Sequence, residues 1–366
     1  VCGICDQKIF EKLFLTTSSP YKNMIKHLYA LDYIRAFAAI SVCLYHFSSK
    51  IDYLPATDMV RGVFSYGHFG VEIFFIVSGL VIPYSMEKGQ YTISKIFIFF
   101  KKRLIRIEPP YLVCILLALF LNYATTKSPV YNGNPFTLDA LQLLYHLGYL
   151  NVFMDKEWLN PVFWTLAIEF QYYWVIALIF PLINQKQSWI WILILLIFNA
   201  LSLISDRSLV FNFSIFFTTG ILLYRFLVGK MSRHEALIAS LAVILVLFFR
   251  YSYKEMIVVA ATALVVLLPL RPSITGTFLG NISYSLYLLH FIIGQRLINL
   301  SFRFIESESL RQLMVFVALA VSIAAAYIYY IYVEKPFKLR SQRSQYHNEG
   351  ARDQNAEISP VESVVV

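Results

Sequence analysis

The chain has 366 residues, 58% of them hydrophobic and only 14% charged, with a mean hydropathy of +0.62. A soluble chain of average composition carries about 25% charged residues, so this balance excludes an ordinary water-soluble globule and predicts a membrane protein. The net charge of +9 reads as a bias between two membrane faces and not as a nucleic-acid-binding signal.

Residues 1–23 are polar and without pattern, and lack the apolar core and small-residue cleavage site of a secretory signal. They are expected to be a poorly ordered leader, with folding starting near Met24. Cys2 and Cys5 form one isolated CxxC, and without a second pair they do not make a metal site. No other His, Cys or carboxylate spacing resembles one, so no metal is expected.

Apolar runs then predict about ten helices, at 29–49, 69–86, 104–124, 163–183, 188–205, 210–228, 235–250, 255–270, 280–300 and 312–333. The fold expected is an all-α polytopic bundle over 24–340, followed by a disordered cytoplasmic tail at 341–366. Lys and Arg set its orientation. They crowd the connection after the second helix (Lys88, Lys95, Lys101, Lys102, Arg103, Arg106), the one after the sixth, and the segment after the tenth. Both termini are therefore expected in the cytoplasm, with the protein integral to the plasma (inner) membrane.

The first helix carries Asp32, Arg35 and His46 in a stretch otherwise apolar enough to span a bilayer. Ionisable groups in hydrocarbon are costly and usually face a protein interior or a water-filled path. Arg35 and His46 are eleven residues apart, close to three turns, so they share one face about 17 Å apart along the axis. On the expected orientation Arg35 lies near the cytoplasmic side and His46 near the outer one. Glu72 in the second helix and Glu169 in the fourth are expected near the depth of His46, and Arg103 and Arg106 near that of Arg35.

That separation suggests a chemistry. The inner arginines suit the phosphates of an anionic cytoplasmic donor, whose long arm would present a reactive carbonyl near His46. A histidine can take the proton of an attacking hydroxyl near neutral pH, and Glu72 or Glu169 would orient the ring. Taken singly, each cation has a plainer reading. Arg35 can snorkel to the surface, and Arg103 and Arg106 can be positive-inside anchors. Ser78 and Gly79 can simply permit close helix packing, and His290 can line a tunnel or pack.

At these residues the chain resembles the acyltransferase family 3 of integral-membrane acyltransferases. The resemblance is carried by LDYIRAFAAISVCLYHF (31–47) with its Arg-x10-His, GHFGVEIFFIVSGLVI (67–82), KKRLIRIEPPY (101–111) with its Arg-x2-Arg, FWTLAIEFQYY (163–173) and LGNISYSLYLLHF (279–291), in that order. It implies an O-acyltransferase that moves an acyl group, foremost acetyl, from acyl-CoA to a hydroxyl of a carbohydrate or lipid-linked glycan. It also implies that His46 is needed for transfer and that Arg35, Arg103 and Arg106 handle the donor. Glu108 and a second proline, Pro110, depart from the pattern and are expected to reshape the start of the third helix. No fused hydrolase-like domain is expected after the tenth helix. On the residues alone, a proton-coupled transporter using His46, Glu72 and Glu169 as a relay remains the alternative.

Overall fold

The computed structural model describes residues 28–49, 53–128, 135–137, 139–186, 188–206 and 208–343. The expected leader at 1–23, the Cys2–Cys5 pair and the tail beyond 343 lie outside the described residues. Among the described residues all regular structure is helical, so the all-α expectation holds. Each of the ten expected segments is helical, although several boundaries move.

Helix α1 (Tyr29–Ser48) lies at the centre. It packs on helix α3 (Gly70–Lys88), on helix α11 (Ile274–Leu289) and on helix α13 (Glu308–Tyr329). Between α1 and α3 stand the short helix α2 (Met59–Phe64) and a 3-10 turn over Ser65–Phe69 that runs directly into α3. Asp58 caps α2 by accepting the Arg61 N–H at 2.9 Å. Helix α4 (Ile96–Thr126), a short helix α5 (Ala140–Leu147) and helix α6 (Phe163–Ile183) follow. Helices α7 (Ser188–Ala200), α8 (Ser214–Leu227), α9 (Arg233–Arg250) and α10 (Tyr253–Leu267) then extend one flank. Both α9 and α10 start at capping boxes, Ser232 with Glu235 and Ser252 with Glu255.

The last part of the chain is interrupted twice. Helix α11 is followed by a π-helical turn over Phe291–Gln295 and by helix α12 (Arg296–Ser301), the two halves meeting at 50°. After α13 a second π-helical turn (Tyr330–Glu334) leads into helix α14 (Lys335–Arg343).

Among the described residues, five helical stretches are long and apolar enough to cross a membrane: Met59–Lys88, Ile93–Thr126, Phe163–Ile183, Val210–Leu227 and Glu308–Arg343. The bent pair α11–α12 makes a sixth if it counts as one span. The ionisable residues of α1 hold its apolarity below that measure. Large hydrophobic side chains such as Leu116, Phe120, Ile244 and Phe248 stay on the outside. In water such a surface is an aggregation liability, whereas lipid tails are as apolar as leucine.

Three expectations change in detail. The third predicted helix starts at Ile96 and not near 104, because α14 runs alongside it and Ser341 Oγ donates to Lys102 O at 2.7 Å. Pro109 and Pro110 therefore lie inside α4 and not at its start. They leave the carbonyls of Ile105 and Arg106 without their usual amide partners four residues on. The last helix continues through Arg343, so the domain boundary expected at 340 falls within a helix.

Helices α3 and α8 cross with backbone nearly touching. A Cβ on Gly79 would stand 2.3 Å from Phe217 O, and one on Gly220 would stand 2.1 Å from Ile76 O. At one end of α3, α6 and α8 a polar lock holds the bundle. Lys230 Nζ pairs with Glu87 at 2.6 Å, Asn184 Nδ2 donates to Glu87 at 2.6 Å, and the Tyr224 hydroxyl donates to Asn184 Oδ1 at 2.8 Å. Arg225, fully buried against Trp191, donates to the carbonyls of Ile183, Gln185 and Lys230. Cys43 and Cys114 are buried free thiols.

Candidate active site

A cavity of about 120 Å³ lies between α1, α3, α4, α6 and α11. Arg35, Arg103 and Arg106 all reach it, together with Ser78, Glu169 and Tyr173. Arg103 and Arg106 share a face because they are three residues apart on a helix. Arg103 is buried, its guanidinium 5.6 Å from the ring centre of Phe99 and 5.9 Å from that of Tyr173. The cation–π attraction fixes the head group without neutralising it. Glu169 accepts two hydroxyl hydrogen bonds, from Ser78 and from Tyr173, each at 2.9 Å.

Behind the arginines lie Glu334 and Lys338, at and just beyond the second π-helical turn. Glu334, 3% exposed, accepts from Ser285 Oγ at 2.5 Å and from the Ser285 N–H at 3.2 Å. Lys338 Nζ donates to Asn281 Oδ1 at 3.0 Å. Arg106, Glu334, Asp32 and Glu169 all act electrostatically on Arg35, and Arg35, Arg106 and Glu334 act on Lys338. The result is a dense, predominantly cationic cluster with buried carboxylates woven through it. Such a cluster attracts an anion but keeps the cations from having to be buried alone.

His46 lies toward the other end of α1, outside this cavity. Its ring centre is 5.2 Å from that of His290, 5.1 Å from Tyr45 and 5.4 Å from Phe291. His290 is fully buried, with Nδ1 2.7 Å from Tyr287 O. Nδ1 must therefore carry the proton and donate it to that carbonyl, which makes Nε2 the lone-pair nitrogen. That Nε2 is buried and has no hydrogen-bond partner among the described residues. The Tyr287 ring, 5.7 Å from His290, also lines the arginine cavity, and its hydroxyl is 2.7 Å from Thr165 Oγ1. Phe74, edge-on to Tyr287 at 5.6 Å, lines the same cavity beside it.

The grouping expected from depth thus divides. Glu169 sits with the arginines and not with His46. Ser78, which bonds it, is six residues beyond Glu72, or about 9 Å farther along the helix. Glu72 is in the first turn of α3, its Oε2 buried without a hydrogen-bond partner among the described residues, and Glu255 at the start of α10 acts on it electrostatically. No hydrogen bond or ion pair joins His46 to either carboxylate among the described residues. Tyr172 is stacked at 4.0 Å on Phe217 in the core. His290 is a further residue of this site, and its signal in the sequence is an imidazole in an apolar run, YSLYLLHF. Glu334 and Lys338 carry no such signal, since in sequence they look like ordinary residues of a basic helix end.

The helical bundle thus carries a cationic cavity toward one end of α1 and an imidazole pair toward its other end, a membrane-type domain with two polar sites on one helix. The chain belongs to the acyltransferase 3 family, whose acyltransferase domain matches residues 28–331. Among curated proteins it is similar to the O-acetyltransferase OatA of Staphylococcus aureus (strain NCTC 8325 / PS 47), 28% identical over 187 residues. That match covers 49% of this chain and 26% of the relative's length. OatA from strains COL and MRSA252 matches to the same extent. No solved structure matches.

Proposed function

We propose that the chain is a membrane O-acyltransferase that carries an acyl group, foremost acetyl, from cytoplasmic acyl-CoA to a hydroxyl of an extracytoplasmic carbohydrate or lipid-linked glycan. The observation that carries this reading is the convergence of Arg35, Arg103 and Arg106 on one cavity, with His46 farther along the same helix as Arg35. A cavity of about 120 Å³ is small beside the ~300–1,000 Å³ of typical ligand sites. It suits the extended acyl-bearing arm, while the nucleotide end stays outside it with its phosphates on the guanidinium groups and Lys338.

In this mechanism the arm passes Tyr287 and presents its thioester carbonyl to His46. The imidazole takes the proton of the acceptor hydroxyl as its oxygen bonds to the carbonyl carbon. The carbon–sulfur bond then breaks, the ester is released, and the imidazolium returns the proton to the departing thiolate. Glu169, held by Ser78 and Tyr173, sets the charge balance of the donor cavity. Glu72 supplies a carboxylate at the start of α3. The same reading makes the ten helical segments ten spans, places both termini in the cytoplasm, and locates the protein in the plasma (inner) membrane of a bacterial cell.

The test is acetyl-CoA turnover by purified protein in lipid, without an ion gradient, for the native chain, His46→Ala and Arg35→Ala. His46→Ala should lose turnover and still bind CoA, whereas Arg35→Ala should lose binding. Turnover that survives His46→Ala would remove the mechanism. A folded native chain with neither turnover nor CoA binding would remove the function.

A further inference from the structure

A second cavity, larger than the first at about 520 Å³, lies where α4 meets the π-helical turn and α12, and the segment 135–137 closes one side of it. This volume is within the ~300–1,000 Å³ of small-molecule sites. We propose that it is the acceptor pocket, and that it takes a neutral, polyhydroxylated sugar unit. The proposal rests on the acyltransferase reading above and adds to it the place where the acceptor binds.

The chemistry of the walls supports this class of ligand. Asn122, Thr126, Gln295 and Asn299 line the cavity with amides and hydroxyls, which can both donate to and accept from sugar hydroxyls. Phe136 and Phe291 add aromatic surface against which the C–H face of a sugar ring can pack. No carboxylate lines the cavity among the described residues. The one lining guanidinium, Arg296, is already committed, donating to Leu121 O, Thr125 Oγ1 and Asn122 Oδ1 on α4. A charged ligand is therefore not what these walls are built for.

One atom points to an absent partner. Gln295 is 7% exposed, and its Nε2 donates to Asn299 Oδ1 at 3.3 Å. Its Oε1 is buried and accepts no hydrogen bond among the described residues. A buried acceptor left unmade costs about 1–3 kcal/mol, and a turn of the amide toward the cavity that Gln295 lines would bring it to a sugar hydroxyl. Gln295 ends the π-helical turn, its N–H donating to His290 O at 3.0 Å. Single π-turns within α-helical segments are often found at functional sites.

The placement relative to His46 fits a transfer between two bound partners. Ser283, Tyr284 and Tyr287 face the arginine cavity, and Phe291, Gln295 and Asn299 face the polar one. His290 stands between these two sets in the chain, and its neighbour Phe291 meets the His46 ring edge-on. One interrupted helix therefore carries a wall of each cavity, with the imidazole pair between them. An acceptor in the polar cavity would reach His46 from the side opposite the donor arm.

The test uses the full chain in membrane vesicles from its source cell, supplied with [14C]acetyl-CoA, with base-labile label in glycan as the readout. Asn299→Trp and Thr126→Trp plug the cavity from opposite walls, and Gln295→Ala removes the unpaired acceptor. Binding of acetyl-CoA to each purified variant by equilibrium dialysis reports an intact fold and donor site. Both plugs should cut glycan labelling at least about tenfold, and Gln295→Ala about three- to tenfold, with acetyl-CoA binding within about twofold of native. Native labelling by plugged variants that bind acetyl-CoA would overturn the proposal. Were both plugs to lose acetyl-CoA binding, unchanged labelling by Gln295→Ala would overturn it. A native chain that neither binds nor consumes acetyl-CoA would instead bring down the acyltransferase reading itself, a separate and visible failure.

Discussion

The crossing of α3 and α8 makes a sharp prediction about stability. A methyl group at Gly220 would stand 2.1 Å from Ile76 O and 2.7 Å from Gly79 Cα, whereas real Cβ contacts essentially never fall under 3.0 Å. Every close atom named there belongs to backbone, so no rotamer change can relieve the clash and one helix must retreat. A radial gap of 0.5–1 Å already forfeits about a quarter to a half of a dispersion contact, and this face carries Ile76, Val77, Leu80, Phe217 and Ile221, all buried. Overpacking against side chains costs about 1–3 kcal/mol, so Gly220→Ala should cost about 3 kcal/mol or more. Gly62 is the control: it lies in helix α2 with nothing within 4 Å of its added Cβ. There Gly→Ala should be neutral or stabilising by about 0.4–1 kcal/mol, since alanine restricts the unfolded chain and favours helix. Unfolding of the purified protein in mixed micelles, followed by circular dichroism against denaturant, compares the two. If Gly220→Ala matched the native chain, or if Gly62→Ala fell as far, the argument from backbone contact would be wrong.

Arg225→Ala should destabilise by about 3–5 kcal/mol in the same assay, because it unpairs carbonyls of Ile183, Gln185 and Lys230 and empties a fully buried site against Trp191; a loss below about 1 kcal/mol would refute the lock. His146 predicts a pH dependence in the connection between α4 and α6. Its Nδ1 donates to Gln142 O at 2.8 Å and its Nε2 accepts the Leu159 N–H at 2.9 Å, so both nitrogens are committed to the neutral ring. Burial holds this imidazole below its ordinary range, against the opposing effect of its hydrogen bond to the Gln142 carbonyl. A histidine lowered in the folded state contributes stability that is full above about pH 6.5 and is lost as pH falls through the depressed value. Hydrogen exchange at the Leu159 amide should therefore speed up, relative to its intrinsic rate, below about pH 6.5, and protection that stays flat down to about pH 4 would contradict it. Glu169→Gln should leave the fold intact, since one amide oxygen can still accept from Ser78 and Tyr173, while making the arginine cavity more cationic. CoA binding should tighten and its salt dependence steepen, and unchanged binding at every ionic strength would remove Glu169 from the charge balance.

Much of this molecule is legible in its sequence because lipid constrains helices so strongly. Apolar runs locate the ten expected helical segments but not the short helices α2 and α5 or helix α14, and the S-x-x-E pattern marks where α9 and α10 start. The Arg35–His46 spacing is a property of one helix, so helical geometry alone places the two groups correctly. Arg103 and Arg106 join Arg35 as expected. Glu169 shows where such reading fails. Counting residues from a helix end gives a rough depth, but not which neighbour a side chain turns toward, and here Ser78 and Tyr173 decide it. The contact of Gly79 with Gly220 joins residues 141 positions apart, and nothing local to either glycine names the other. Glu334 and Lys338 were hidden for a different reason: a basic helix end has a sufficient explanation in membrane topology, which masks a second role.

The two π-helical turns have a consequence for register. Each accommodates one surplus residue, and an α-helix turns by about 100° per residue. Removing one residue from Phe291–Gln295 would restore a continuous α-helix and rotate everything after it by about that angle. Arg296 would then swing off Asn122 and Thr125, and Asn299 would leave the cavity wall. The same excision in Tyr330–Glu334 would turn Lys338 and Ser341 away from Asn281 and Lys102. The spacing between His290 and Arg296, and between Tyr329 and Lys335, is therefore a phase setting: single-residue deletions there should be far more damaging than their length suggests, while most substitutions within the turns leave the phase unchanged.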